Sequence, residues 1–255
     1  MSEVIIYVLG YIAVAAFGMV IGSFLNVCIF RIPKEESIVP GSHCMTCGYE
    51  LQWYDLVPVF SYIILRGRCR KCGAKLSLQY PLIEGMNGAL YVIIFLANGW
   101  NYLSAVYCLL TSALIVLSVI DWRTFEIPDE INLFIAVLGV LATIADNERW
   151  LSHLIGMFAV SVFLLIVYLV TAGRGIGGGD IKLMAAAGLI LGWQKIFFGF
   201  LVGCIAGSVI HVIRMKVSNA EHVLAMGPYL SGGIFIAMMW GNIIINWYLR
   251  LCGLA

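Results

Sequence analysis

Long apolar runs alternate with short polar connections along most of this chain, and only one polar stretch is long enough to be a region in its own right. Eight apolar segments stand out, at roughly 4–30, 82–97, 102–120, 131–145, 151–171, 181–193, 196–213 and 223–249. About 20 consecutive apolar residues are needed to carry a helix across the hydrocarbon core of a bilayer. Most of the segments approach that length, and they predict transmembrane helices. The segments 131–145 and 181–193 fall short, which predicts a tilted helix, a thinned bilayer or a helix lining a wet cavity. The first segment lacks a basic leading region and a small-residue cleavage site, and it is too long for a signal peptide. It reads as a helix that stays.

Composition agrees with the pattern. Apolar residues make up 62% of the 255 positions and charged residues 11%, with a mean hydropathy of +0.98. A water-soluble core of this size cannot hide so much apolar surface, so lipid must cover most of it. The charges are placed unevenly. One side of the segments holds twelve cations: Arg31, Lys34, Arg66, Arg68, Arg70, Lys71, Lys75, Arg123, Arg174, Lys182, Arg214 and Lys216. The other holds three, Arg149, Lys195 and Arg250, which completes the fifteen. Positive charge marks the cytoplasmic side, so the termini are expected outside. A net charge of +1 gives no whole-molecule reason to expect nucleic acid. The expected architecture is all-α and polytopic, with about eight transmembrane helices. It divides into a first helix (1–30), a cytoplasmic loop (31–81) and a helical bundle (82–255).

The 31–81 loop carries the first chemistry. It contains "HCMTCGYE" and "RCRKCGAK": Cys44-x2-Cys47, twenty-one further residues, then Cys69-x2-Cys72. Each CxxC followed by glycine makes a tight knuckle presenting two sulfurs to one point. Two knuckles close a tetrahedral thiolate site that suits zinc. A reducing cytoplasm disfavours structural disulfides, and no thioredoxin-like βαβ pattern accompanies the pairs, which argues against redox motifs. His43 reads as a surface residue. Cys28, Cys108, Cys204 and Cys252 fall singly on apolar segments and read as packing residues.

The second chemistry is carboxylate. Acidic groups inside or beside membrane spans are costly and need an explanation. Asp121 ends the third segment, in "SVIDWRTFEIPDEIN", and Asp180 opens the sixth, in "GIGGGDIKL". The charge-derived topology puts both at cytoplasmic helix ends, where they can share a site. Two carboxylates sharing a proton can activate water: the protonated one polarises a peptide carbonyl while the ionised one takes a proton from the attacking water. Simpler readings stand beside this one. Asp129, after Pro128, is expected to cap the fourth segment's helix. Asp180 can equally cap its own helix, and Asp121 can be a solvated helix end. Glycine run 175–179 shifts the balance, because irregular backbone at membrane depth is tolerated where it is buried or lines water, and glycine admits the close approach of another chain. Glu84, at the start of the second segment, is expected to pair with a basic group or a helix terminus.

"GIGGGDIKLMAAAG" resembles the GxGD signature of intramembrane aspartyl proteases, with Gly177, Gly178, Gly179 and Asp180 as its four positions. Together with "GSFLNVCIFRIP" (22–33), the paired CxxC loop, "YPLIEGMNG" (80–88), "IDWRTFEIPDEI" and "MGPYL" (226–230), in that family's order, the chain is similar to the type IV prepilin peptidases. Met226 departs from the phenylalanine usual before Gly-Pro. The resemblance implies a bifunctional enzyme of the bacterial cytoplasmic membrane. Such an enzyme cleaves the short basic leader of prepilins or pseudopilins after a glycine, then methylates the new N-terminal amine with S-adenosylmethionine. It implies Asp121 and Asp180 as the catalytic pair and Cys44, Cys47, Cys69 and Cys72 as zinc ligands. Gly177 and Gly179 are then expected to meet substrate, and Glu84 becomes a candidate for substrate or methyl-transfer chemistry. Glu35, Glu36, Glu50 and Asp55 in the loop can attract a basic leader or be simply solvated.

Two other classes remain open at this point. One is a transporter whose Asp121 and Asp180 bind a cation or relay protons, although no inverted repeat is visible. The other is a zinc-ribbon scaffold that assembles membrane partners. No H-E-x-x-H surrounds His43, His153, His211 or His222, which excludes a zincin. Gly18-x3-Gly22 reads as a close-packing helix face rather than part of a serine site. No G-x-G-x-x-G follows a strand, so methyl transfer rests on the resemblance alone.

Overall fold

The computed structural model describes residues 2–39, 41–218 and 224–253, leaving His222 and the expected start of the last apolar segment, at 223, outside it. The apolar segments coil into helices: α1 (Ser2–Arg31), α3 (Gln79–Asn98), α4 (Tyr102–Thr124), α5 (Asp129–Ala145), α6 (Trp150–Ala159), α7 (Ser161–Val170), α8 (Gly178–Leu191), α9 (Trp193–Ser218) and α10 (Gly227–Leu251). A single-turn helix, α2 (Phe60–Ile64), lies in the polar loop. Among the described residues no strand forms, only two isolated bridges in that loop.

Among the described residues, six stretches are long and apolar enough to cross a membrane: Val4–Lys34, Gln79–Asn98, Tyr102–Thr124, Asn147–Val170, Trp193–Val217 and Gly227–Leu251. The protein is a multi-pass membrane protein, but the expected eight spans are not reached. α5 has 17 residues and α8 has 14, about 25 and 21 Å at 1.5 Å per residue. The reason for α8 lies in its ends. Gly177 starts it in extended backbone, and Gly192, at φ 77, turns the chain into α9.

The helices form two compact units, Met1–Val116 and Leu117–Ala255, with the division falling inside α4. In the first, α1 and α3 meet backbone to backbone. A Cβ added at Gly18 would stand 2.8 Å from the Gly88 Cα, and one at Gly22 would stand 2.7 Å from the Glu84 Cα. Lipid tails give helices no hydrophobic reason to associate, so this intimate van der Waals contact is what holds them. Buried polar groups are tied in: Asn87 Nδ2 donates to Gly18 O at 2.7 Å, Ser112 Oγ donates to Asn87 Oδ1 at 3.0 Å, and Tyr91 and Ser112 hydroxyls bond at 2.9 Å.

In the second unit α8 is the central element, packed by α5, α6, α7 and α9. It buries Leu183, Met184, Ala187 and Ile190, and Gly188 meets Gly156 of α6 with no room for a side chain on either. A helix wrapped in protein on this scale does not need the length of a lipid-facing span. α9 and α10 pack equally closely through Gly199 and Gly233.

Candidate metal centre and candidate active site

The loop repeats one backbone turn twice. Cys44 N–H donates to Tyr49 O at 2.8 Å and Gly48 N–H to Cys44 O at 2.9 Å. Cys69 N–H donates to Ala74 O and Gly73 N–H to Cys69 O at the same two distances. Gly48 and Gly73 sit at φ 68 and 71, a left-handed conformation that glycine adopts freely. Each turn therefore presents its two sulfurs to one side. Across the turns, Cys44 and Cys72 sulfurs are 3.8 Å apart, and Cys47 and Cys69 sulfurs are 4.0 Å apart. All four lie within 4.8 Å of one another. A tetrahedron with metal–sulfur bonds near 2.3 Å has edges of about 3.8 Å, so the donor set fits a zinc-sized ion.

Electrostatics also favour a cation there. Backbone amides of Thr46 and Cys47 pull the Cys44 thiol down to about 6. The Ala74 amide pulls on Cys72 as well, but burial and the neighbouring sulfurs outweigh it and push that thiol up to about 11. Four sulfurs this close cannot all be anionic without a positive ion between them. Beside the knuckles, Asp55 is buried. It accepts from Arg70 Nε at 2.6 Å, Tyr49 OH at 3.2 Å and Gln52 N–H at 3.3 Å. Burial raises its proton affinity, but these donors outweigh it and hold the carboxyl below its ordinary value. Asp55 is thus not free to meet a basic leader. It is occupied in joining the two knuckles.

Glu84 is buried in the second turn of α3, where its Oε2 accepts the Val59 N–H at 2.7 Å and the Ser23 hydroxyl of α1 bonds to the same carboxylate. Its partner is the terminus of α2, for which Val59 is the N-cap.

In the second unit, Asp121 and Asp180 are both buried, and Asp180 lies close enough to feel the charge of Asp121. Asp121, in the last turn of α4, accepts the Gly227 N–H at 2.8 Å through Oδ2. Asp180 reaches back to the amide of Gly177, the N-cap of its own helix. Asp180 is therefore not the cap but the third residue of the helix, and this contact uses one oxygen only. The other, Oδ1, is buried with no partner. Asp129 does not cap α5: Pro128 is the N-cap, because its extended ψ of 137 leads into the helix and puts Asp129 at the first helical position. Asp129 instead pairs with Lys182 of α8 at 2.7 Å. Gly179 has a second surprise. A Cβ there would strike the Ile127 Cβ at 2.7 Å, whereas Gly178 faces open space. The Gly179 position admits a neighbouring segment of this chain.

Two contributors escaped the sequence reading. Gly227 lies in "MGPYL", but nothing local says that its amide meets a carboxylate 106 positions away. A Cβ on it would stand 2.7 Å from Asp121 Oδ2. Asn132 of α5 donates to Gly179 O at 3.4 Å, while its own Oδ1 is buried without a partner. A lone amide near the start of an apolar helix was the available signal. Among the four single cysteines, Cys28 and Cys108 are buried and Cys204 is half-buried, but Cys252 is exposed and does not pack.

Two family models match this chain: the bacterial peptidase A24 N-terminal domain over residues 16–98, and the type IV leader peptidase family over residues 108–212. The prepilin leader peptidase/N-methyltransferase of Aeromonas salmonicida is 32% identical over 268 residues, covering 91% of each chain. The chain belongs to the type IV leader peptidase family. Relatives of the same name from Aeromonas hydrophila, 33% identical and covered to 91%, and from Bacillus subtilis, 30% identical over 92% of this chain and 96% of its own, extend the similarity across distant bacteria. No solved structure matches the chain. Family membership makes this protein a membrane peptidase, and the shared name carries a methyltransferase activity with it.

Proposed function

We propose that this protein removes the basic leader of type IV prepilins or pseudopilins at the cytoplasmic face of the bacterial inner membrane, with Asp121 and Asp180 as the catalytic pair. One observation carries the assignment: a buried carboxylate oxygen, Asp180 Oδ1, stands without a partner within electrostatic reach of a second buried carboxylate. A buried acceptor left unpaired costs free energy, and water and a peptide amide are the donors that hydrolysis brings. The pair shares one proton and titrates as a unit. The ionised member accepts a proton as water oxygen attacks the scissile carbonyl carbon, and the protonated member donates to the carbonyl oxygen. The intermediate then collapses: the aspartate that took the water proton passes it to the leaving nitrogen, the C–N bond breaks, and the other aspartate takes back a proton from a hydroxyl of the intermediate.

The Gly227 amide would hold Asp121 in one rotamer through that cycle, and Asn132 would hold the Gly179 carbonyl beside Asp180. The four cysteines are assigned to a structural zinc ion, since a closed set of four thiolates leaves no position for substrate. The relatives' name, which includes N-methyltransferase, supports a methyl-transfer activity; with S-adenosylmethionine as donor, the new N-terminal amine would take the methyl group and lose a proton, and S-adenosylhomocysteine would leave. Nothing favours the transport reading over this one.

The test is direct. Purified protein in detergent, incubated with a prepilin and S-adenosylmethionine, should release the leader and then add the mass of one methyl group to the shortened product. An intact substrate after prolonged incubation would overturn the peptidase assignment. Cleavage without added mass would overturn the methyl-transfer part alone.

A further inference from the structure

The loop carries an apolar surface that neither the metal centre nor the aspartate pair uses. Phe60, Ile63 and Ile64 of α2 are 59%, 64% and 74% exposed. Positions i, i+3 and i+4 share one face of a helix, so these three make a continuous apolar ridge. A ridge of this kind facing water marks a surface meant to be covered.

The depth of the ridge is set by its tether. Val59 donates its N–H to Glu84 Oε2 at 2.7 Å, and its Cγ2 lies 4.0 Å from where a Cβ on Gly85 would stand. Glu84 and Gly85 follow the start of α3 at Gln79 by five and six positions, about 7 to 9 Å along the helix axis. α2 therefore begins beside the body of a membrane-crossing helix and not above its end. The chain enters it through a tight turn, with Phe60 N–H donating to Pro58 O at 2.6 Å and Val59 at φ 63, ψ −49. A β-branched residue adopts such a γ-turn only where its surroundings impose it, and the Glu84 carboxylate on the Val59 amide is what imposes it here. Directly after the ridge come exposed Arg66 and Arg68.

We propose that α2 is an interfacial helix. Phe60, Ile63 and Ile64 enter the boundary between headgroups and acyl chains of the bilayer, while Arg66 and Arg68 engage the phosphates of anionic phospholipid. The combination of an apolar face with adjoining cations is what binds an anionic membrane surface. A basic prepilin leader fits poorly, because the same arginines repel it. Glu84 then acts as a positioning residue: it fixes the depth at which the metal-binding loop lies on the membrane.

The experiment uses the full chain reconstituted in vesicles of phosphatidylethanolamine and phosphatidylglycerol, with the photoreactive residue benzoylphenylalanine placed at Ile63 and, in a second preparation, at Ile64. Illumination should yield phospholipid adducts from both positions, with phosphatidylglycerol over-represented severalfold relative to its share of the vesicle. Arg66→Gln combined with Arg68→Gln should bring that bias back to the bulk ratio while lipid adducts persist. The same photoreactive residue at Lys75 should give no lipid adduct. Metal content of each preparation shows that the loop is intact. Adducts to an added prepilin or to another part of this chain, without lipid adducts, would overturn the proposal. Lipid adducts with no headgroup bias in the parent protein would overturn the arginine part of it.

Discussion

The cysteine loop and the aspartate site hold their reactive groups by opposite means. In the loop, each sulfur pair is aimed by the turn that contains it, and the closing hydrogen bonds run between residues five positions apart or fewer. In the aspartate site, orientation comes from far along the chain. Asp121 of α4 takes its amide from Gly227 of α10, and Gly179 of α8 fits only because it lacks a side chain against Ile127. The first kind of site should tolerate damage without disturbance of the bundle. The second kind is inseparable from the packing of its helices, and small changes in backbone approach should act on chemistry directly.

The largest effect tests whether the carboxylates are the reactive groups. Asp121→Asn or Asp180→Asn should lower the rate of leader cleavage by roughly a thousandfold or more, since a carboxamide neither shares the proton nor accepts one. Bound metal should stay at the wild-type level, because the sulfurs belong to the other unit. Asp129→Asn should remain close to wild type: its pair with Lys182 is exposed on both sides, and such pairs contribute under about 1 kcal/mol. A dead Asp129→Asn beside an active Asp121→Asn would reassign the site.

The second effect tests the long-range geometry. Gly227→Ala places a methyl group 2.7 Å from Asp121 Oδ2, and Gly179→Val drives a branched side chain into Ile127. Each should cost about a hundredfold in cleavage, the scale of an ångström-sized misplacement of a reacting group. Gly178→Ala, which meets open space, should lose little. Equal rates for Gly179→Val and wild type would show that the contact with Ile127 does not position Asp180.

These expectations also mark what could be read without coordinates. The four-cysteine cluster was legible because CxxC-Gly specifies its own turn. Asp121 and Asp180 were legible as candidates because a carboxylate at the end of an apolar run is costly. Their supports were not. Hydrogen bonds from backbone amides, such as Gly227 to Asp121, leave no mark in side-chain identity. Gly179 shows a related limit: glycine signals close approach but not of what, and here Ile127 of the same chain comes close. The expected span count was not reached, and α8 shows why: apolar content alone does not distinguish a helix wrapped in protein from one wrapped in lipid. Asp129 was misplaced by one position, since Pro128 took the cap.

A third effect separates the regions from the loop side. Cys44→Ser combined with Cys47→Ser replaces two thiolates by neutral hydroxyls, far poorer zinc ligands. Elemental analysis should fall from about one zinc per chain to near zero. Cleavage should drop by about tenfold if the loop presents the leader, and some should persist because both aspartates remain. Wild-type protein that carries no metal, with four titratable thiols in the loop, would remove the zinc assignment. Complete loss of cleavage together with an unfolded bundle would remove the separability itself.

The smallest effect concerns the bond that joins the knuckles. Asp55 holds Arg70, Tyr49 and Gln52 together, so Asp55→Asn should loosen the loop and weaken zinc binding by about fivefold, on the order of 1 kcal/mol. Arg70 is partly exposed, which keeps the figure small. The pH dependence has a definite sign. The native environment lowers the proton affinity of Asp55, through its hydrogen bonds and despite its burial. Its contribution is therefore complete above the ordinary carboxylate range and is lost as pH falls through the lowered native value. Protonation of the sulfurs weakens zinc binding in wild type and variant alike, so the informative quantity is the ratio of their affinities. Competition with a chelator should give a ratio near five at neutral pH, unchanged down to the ordinary carboxylate range and closing toward one below it. A ratio of one already at neutral pH would mean that the knuckles hold the metal without Asp55, and the loop would then be local in every respect.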